Sequence, residues 1–342
     1  MLLIVQRCAT LRQLWTQASL LVCYMLGRSS QRLLAGYRNA VGYVGSLAEL
    51  NSLDRFEWPE VKRYWELRSS YWARSPHDGD PHALQNVCHP GAPLWLNRYY
   101  ARFQEMAYQS LLDLLPPPVP KQRALDVGCG AGRWCRLLYE RGYHTVGIDL
   151  QPDLIQSNRS RYPHIDFLCT PVQEYSAEEP FDLVSSVTVI QHVPFEEQRV
   201  VIRKLRELVR RGGYVVMLEN IYDEALHVFS RAIDDWNEVF EDAGFRTVAI
   251  QRYDYSLFIR LYSWLTQPLV SALRPQRSRG KGLTPEELAT PRELRRSVNV
   301  TRAIYDLPKR LAVGLDTMVE PILMRGNMPL PTVHCGFIFQ AM

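Results

Sequence analysis

The run Ala124-Leu125-Asp126-Val127-Gly128-Cys129-Gly130-Ala131-Gly132-Arg133-Trp134 constrains this chain more than any other stretch. An apolar strand ends in an acid, and a glycine-rich turn feeds straight into a helix. Such a turn brings the polar end of a ligand against bare backbone at a helix N-terminus. Gly128, Gly130 and Gly132 carry no Cβ, so main chain and ligand can approach closely. One reading is an ordinary turn in an α/β domain, because glycine patterns of this kind recur by chance. A second is a nicotinamide or flavin site, but the spacing is G-x-G-x-G and the third glycine falls one residue early for that fingerprint. A triphosphate-binding loop is excluded, since no Gly-Lys-Ser/Thr follows.

The segments that follow repeat a strand–helix alternation. Arg133 to Glu140 reads as a helix with Trp134, Leu137 and Leu138 inward and Gly142 as its stop. His144 to Leu150 is a short strand that reaches Asp149, about twenty residues beyond Asp126, the separation at which a strand-end acid meets ribose hydroxyls. His164 to Leu168 is a third strand and Phe181 to Val187 a fourth, the latter running into Thr188-Val189-Ile190-Gln191-His192-Val193-Pro194. Glu196 to Arg211 has the pattern of an amphipathic helix, closed by Arg211-Gly212-Gly213. Tyr214 to Leu218 is a fifth strand, Asp223 to Ala243 a helix with Leu226, Phe229, Ile233, Trp236 and Phe240 inward, and Phe245 to Tyr253 a sixth strand. The alternation predicts an α/β fold with a doubly wound, mostly parallel sheet covered on both faces.

The D-x-G-x-G-x-G of Asp126 to Gly132, followed in order by Asp149 and by F-D-L-V with I-Q-H-V-P, resembles the class I (Rossmann-like) S-adenosylmethionine-dependent methyltransferases of the small-molecule and glycan type. The resemblance covers Ala124 to Tyr255 and implies a seventh strand returning antiparallel, for which His334 to Phe339 is the candidate. It implies S-adenosylmethionine as cofactor. Asp126 would sit beside the cationic amino group, Gly128, Gly130 and Gly132 would cradle the cofactor, and Asp149 with Leu150 would hold the ribose. The family's acid after the third strand is missing; Cys169-Thr170-Pro171 stands there, so Thr170 or the Val172 backbone is expected to take over at the adenine, with Val187 closing the pocket from the fourth strand. Methyl transfer to a hydroxyl also needs a base. His192 has a fitting reference pKa of about 6.5, although a structural histidine bonded to backbone is an equal reading. Glu219 either orients an acceptor or caps a helix. The Asn/Asp-Pro-Pro-aromatic motif of DNA amino-group methylation and the catalytic cysteine of RNA cytosine methylation are both absent after the fourth strand.

Composition sets the remaining bounds. The chain has 342 residues, 46% hydrophobic content and net charge +4. Its seven cysteines are scattered singly, which argues against a disulfide framework or a zinc site and for a reducing, cytoplasmic setting. Cys129 is expected to be a packing residue. His77, His82 and His89 lie in a loop at spacings that match no metal motif, and no metal is assigned. Five arginines precede the first acid, Glu49; ten basic residues against four acidic ones fall between Ser271 and Leu311. The presumed core is therefore net acidic. This points to local contact with something anionic rather than to a nucleic-acid surface. The apolar stretch Leu14 to Leu26 is too short to span a bilayer.

The expected organisation is a basic arm (1–48), an aromatic-rich helical cap or lid (49–120), the cofactor-binding core (121–255), a basic helical insertion (256–333) with a helix start at Thr284-Pro285-Glu286-Glu287, and a closing strand (334–342). The expected acceptor is a small molecule or glycan, with a phosphate group as one option. A membrane-peripheral enzyme acting on a lipid or quinone, contacting the bilayer through the arm or the insertion, and a non-catalytic scaffold are the alternatives.

Overall fold

The structure is a computed structural model that describes residues 55–72, 93–222, 224–225, 227–273, 284–285 and 299–342. The apolar stretch at 14–26, the histidine loop at 77–92, the acids of the 284–287 helix start and all the basic residues between 274 and 296 lie outside the described residues. One compact unit comprises 54–257 with 282–342; residues 258–281 belong to a second.

The first unit is built on a seven-stranded sheet. Its strands are β1 (Arg123–Val127), β2 (His144–Asp149), β3 (Asp166–Cys169), β4 (Phe181–Val187), β5 (Val209–Asn220), β8 (Phe245–Tyr253) and β9 (His334–Ala341), in the order β3-β2-β1-β4-β5-β9-β8. Strands β1 to β5 are parallel, and β9 is antiparallel to both of its neighbours. The doubly wound, mostly parallel architecture expected from the alternation is the one observed, and the last strand closes the sheet. β1, β4 and β9 are buried along nearly their whole length because helices cover both faces.

On one face lie α5 (Phe195–Leu208) and α6 (Ile233–Asp242). Trp236 and Phe240 are fully buried there, and the Phe240 ring stacks on Phe339 at 3.8 Å. The other face carries α2 (Leu94–Leu112). Here the sheet must be thin: a Cβ on Gly336 would stand 2.6 Å from Leu111 Cδ1. α3 (Arg133–Glu140) and α4 (Pro152–Arg161) are the crossovers after β1 and β2, and α1 (Trp58–Trp72) precedes the sheet.

Two local expectations are corrected. α5 ends at Leu208, not Arg211, and 209–213 belong to β5. Val209 pairs with Phe181, and the Arg210 guanidinium meets Asp182 at 2.6 Å, so contacts to β4 override the helix-stop signal of Arg211-Gly212-Gly213. Likewise the described residues between 224 and 232 are not helical, and Leu226 lies outside the described residues. A two-stranded hairpin, β6 (Glu224–Ala225) and β7 (Val228–Phe229), occupies this stretch, with Phe229 buried from a strand.

α8 (Asn299–Arg325) has an inverted pattern. Its carboxylates Asp316 and Glu320 are each 1% exposed, while Leu307, Leu311, Leu315, Met318 and Ile322 face outward. In the second unit, 258–273 continue the helix α7 (Leu257–Leu273), with Leu261 and Leu265 exposed. No described helix is long and apolar enough to cross a membrane.

Candidate active site

The parallel strands β1, β2 and β4 end along one edge of the sheet, and the candidate site residues lie there. The turn after β1 is left-handed at all three glycines. Gly128 is required twice over. Its φ is +69°, and a Cβ there would stand 2.4 Å from Val189 Cγ2. Gly130 differs: nothing lies within 4 Å of where its Cβ would be, so that side of the turn is open. The turn is fixed from below. Gly128 N and Cys129 N both donate to Ile148 O, at 2.8 and 2.9 Å. Asn158 Nδ2 donates to Gly130 O at 2.7 Å.

Asp149 fastens the turn to the end of β2. Its Oδ2 accepts from Gly130 N at 2.8 Å and its Oδ1 from Gln151 N at 2.9 Å. Burial raises its pKa, and those N–H bonds oppose the rise. Leu150 and Thr170 stand beside it, with Thr170 N on Asp149 O at 3.0 Å. The Thr170 hydroxyl turns to Pro171 O at 3.3 Å. Val172 packs its side chain into the main core, and Val187 is buried at the end of β4.

Asp126 lies beneath the turn and is fully buried. One oxygen, Oδ2, accepts from the Cys135 thiol at 3.3 Å; the other, Oδ1, has no hydrogen-bond partner among the described residues. Beside it Tyr108 OH donates to Ser185 Oγ at 2.7 Å. Burial pushes the Asp126 carboxyl up to about 7, and the Cys135 thiol and the nearby Ser185 hydroxyl oppose the rise. A buried acceptor left unpaired is costly. Together with the open side of Gly130, it fits a ligand that brings a positively charged donor. Cys129 is 3% exposed and burial raises its thiol to about 11, as a packing residue requires.

Glu219 and His192 are placed differently from what acceptor chemistry needs. Glu219 is fully buried. Its Oε1 accepts from Val189 N (3.2 Å) and Ile190 N (2.9 Å), and its Oε2 from Gln191 N (3.1 Å). It caps the short 3₁₀ turn Ile190–His192 from the neighbouring strand. The same loop holds Thr188 at φ +56°, a conformation β-branched residues rarely adopt. The geometry thus takes the cap reading of Glu219 over the acceptor reading.

His192 spends both ring nitrogens on the protein. Nδ1 is 3.0 Å from His227 O, a carbonyl that can only accept, so Nδ1 carries the proton. Nε2 then accepts from Gln191 Nε2 at 3.2 Å. The ring stacks on His227 at 5.5 Å and meets the edge of Trp65 from α1 at 4.8 Å. Burial pulls its pKa down to about 4. The expectation of a base poised near 6.5 is therefore corrected, because the imidazole is desolvated and already bonded.

Sequence reasoning did not single out Cys135, Asn158 or His227. Asn158 offers a polar residue on an inward helix face as its only signal; His227 offers none, since its role depends on the hairpin. Among the described residues no cluster of ligating side chains could hold a metal. A cavity lined by Lys121, Arg123 and His144 opens at the amino ends of β1 and β2, the opposite edge, and plays no part here.

These groups predict a pH dependence. Asp126 and Glu219 have folded pKa values of about 7 and about 8, above their ordinary 3.8 and 4.5. The folded chain holds protons that the unfolded chain has released, so stability falls as pH rises through that interval. His192, lowered from 6.5 to about 4, acts oppositely and costs stability only below 6.5. The melting temperature of the ligand-free protein should therefore fall as pH rises from about 4.5 to about 8, with His192 offsetting one of the two carboxyls below 6.5. A rise over that interval in a thermal scan would contradict the burial of the two carboxyls.

Residues 124–213 match a protein-family model described as a methyltransferase domain. This segment is similar to methyltransferase domains. The chain is 26% identical over 144 residues to a trans-aconitate 2-methyltransferase of Azoarcus, covering 41% of this chain and 56% of that protein. It is 37% identical over 101 residues to a ubiquinone biosynthesis O-methyltransferase of Chromobacterium violaceum, covering 28% and 42%. Among solved structures, the magnesium protoporphyrin IX methyltransferase of Synechocystis, with bound S-adenosylmethionine, aligns at 16% identity and TM-score 0.42, covering 56% of this chain and 89% of that one. The chain spans about half the length of the curated relatives it matches. The matched segment thus runs from β1 into β5 and contains the glycine turn, Asp149 and the loop of His192.

Proposed function

We propose that the whole chain is an S-adenosylmethionine-dependent methyltransferase whose acceptor is the hydroxyl oxygen of a small molecule or glycan. The unpaired Asp126 oxygen beneath the open Gly130 turn carries this reading, because it asks for a cationic donor where the methyltransferase domain would hold its cofactor. When bound, S-adenosylmethionine supplies an activated methyl group on its sulfonium. Asp126 would receive the amino group, Asp149 the ribose, and Thr170 with Val172 the adenine. The protein's own contribution is positioning, which can supply much of the barrier reduction in an in-line displacement. The O-methyltransferases among the relatives support oxygen as the acceptor.

Calorimetry tests the donor half. S-adenosylmethionine should bind with net proton release at pH 7, because a cation beside Asp126 favours its ionised form. Asp126→Asn should bind without that release and at least tenfold more weakly. No binding to the native chain would favour a scaffold. A screen with labelled S-adenosylmethionine against sugar, lipid and phenolic pools tests the acceptor half.

A lipid or quinone acceptor is the second reading. It is favoured by the outward face of α8, where Leu311, Leu315, Met318 and Ile322 lie in a stretch whose acids, Asp316 and Glu320, are both buried. Flotation with phosphatidylglycerol liposomes separates the two: an enzyme of soluble acceptors stays in the lower fraction.

A further inference from the structure

β5, β9 and β8 end side by side on the edge that carries the glycine turn, with Asn220, His334 and Tyr253 in one register row. His334 opens β9, and its Nδ1 lies 2.9 Å from Asp254 Oδ2. Both side chains are largely enclosed, at 14% and 4% exposure. Asp254 comes from the turn after β8, and its position is over-determined. Its φ is +60° and that of Ser256 +46°, two left-handed conformations in residues that are not glycine. Such strain persists only where surrounding contacts hold it, and it gathers at functional sites. Here Glu320 of α8 holds it, accepting from Tyr255 N at 2.8 Å and Ser256 N at 3.2 Å. The Ser256 hydroxyl donates to Asp254 Oδ1. Tyr99 of α2 meets Ser256 Oγ at 3.3 Å. The Tyr253 ring stacks on His334 at 5.5 Å and limits its rotation.

This pair has what His192 lacks. Asp254 receives the Nδ1 proton, so Nε2 of His334 is left as a lone-pair acceptor, and it makes no hydrogen bond among the described residues. The pair also shares a support with the cofactor turn. Arg133, which follows Gly132, bonds to Ala101 O at 2.7 Å and Glu105 Oε2 at 2.8 Å. Those residues sit on α2, the helix that carries Tyr99.

We propose that His334 is the general base for the acceptor hydroxyl and that Asp254 is its positioning residue, fixing the tautomer and stabilising the imidazolium as it forms. This rests on the methyltransferase reading above. In the step, the hydroxyl proton passes to His334 Nε2 as the oxygen lone pair forms the O–C bond. The C–S bond breaks with its electron pair going to sulfur, which leaves neutral S-adenosylhomocysteine. The imidazolium then returns its proton to solvent.

Two measurements test it on the full chain. In the first, the protein with S-adenosylhomocysteine bound is treated with diethyl pyrocarbonate and the modified peptides are mapped. His334 should be carbethoxylated together with the exposed His144, and His192 should be protected. An unmodified His334 under conditions that label His144 overturns the assignment whatever the acceptor is. In the second, methyl transfer to catechol or a hydroxyl acceptor from the screen is followed. His334→Ala should lose about 100-fold or more in kcat, keep KM and S-adenosylmethionine affinity within about threefold, and regain activity with added imidazole. Asp254→Asn should lower kcat with little change in KM. Unchanged kcat in His334→Ala, or a loss that imidazole does not restore, sinks the proposal. Failure of the native chain to bind S-adenosylmethionine would instead sink the reading on which it rests.

Discussion

Replacing Glu219 with alanine should lower stability by about 3–5 kcal/mol. Three backbone N–H groups, those of Val189, Ile190 and Gln191, would lose their acceptor, and the last two lie in buried hydrogen bonds. A buried donor left without a partner costs about 1–3 kcal/mol. The expected fall in melting temperature is on the order of 10 °C for a domain of this size. Glu219→Gln should lose less, because one carbonyl oxygen can keep two of the amides while its NH2 opposes the third. If Glu219 served the acceptor instead of the loop, the alanine variant would melt like the native protein and fail only in turnover. Thermal melts and calorimetric S-adenosylmethionine binding on both variants separate these outcomes.

Gly128→Ala should be nearly as damaging, by a different mechanism. A methyl group there would lie 2.4 and 2.7 Å from the two Val189 methyls. Overpacking of this kind costs about 1–3 kcal/mol, and the left-handed backbone adds about 1–2 kcal/mol. Because the residue begins the turn, S-adenosylmethionine affinity should drop at least tenfold. The double variant Gly128→Ala/Val189→Ala should recover part of the stability, since it removes the clash and leaves the backbone penalty. No recovery would mean that the backbone conformation, not Val189, makes glycine necessary.

These two positions also show what could be read from the chain and what could not. The glycine turn, Asp149 and the fourth strand carry local signals, so their place at one edge of the sheet was legible. The direction in which a strand-end side chain points was not. Glu219 was visible as an acid closing the fifth strand, but only the neighbouring β4 loop reveals that it turns inward. His192 looked suitably poised because its reference pKa assumes water; the hairpin that supplies the His227 carbonyl had been read as helix. Residues 209–213 failed similarly, as pairing with Phe181 and Asp182 outweighed the glycines. Asp254 and His334 carry no common signal. They meet only because β8 and β9 pair across a long intervening segment.

That pairing has a consequence for how the molecule assembles. Among the described residues β8 has β9 as its only partner in the sheet, and β5 meets β9 along its far side. Until β9 inserts, β5 and β8 both expose unpaired edges, the kind of surface that templates aggregation. Strands β1 to β5 can pair as they leave the ribosome, while the last two must wait for a contact of long sequence separation, which is slow to form. The nascent chain would hold its methyl donor's cradle before it holds His334, and it would need shielding, by a chaperone or by speed, in the interval between.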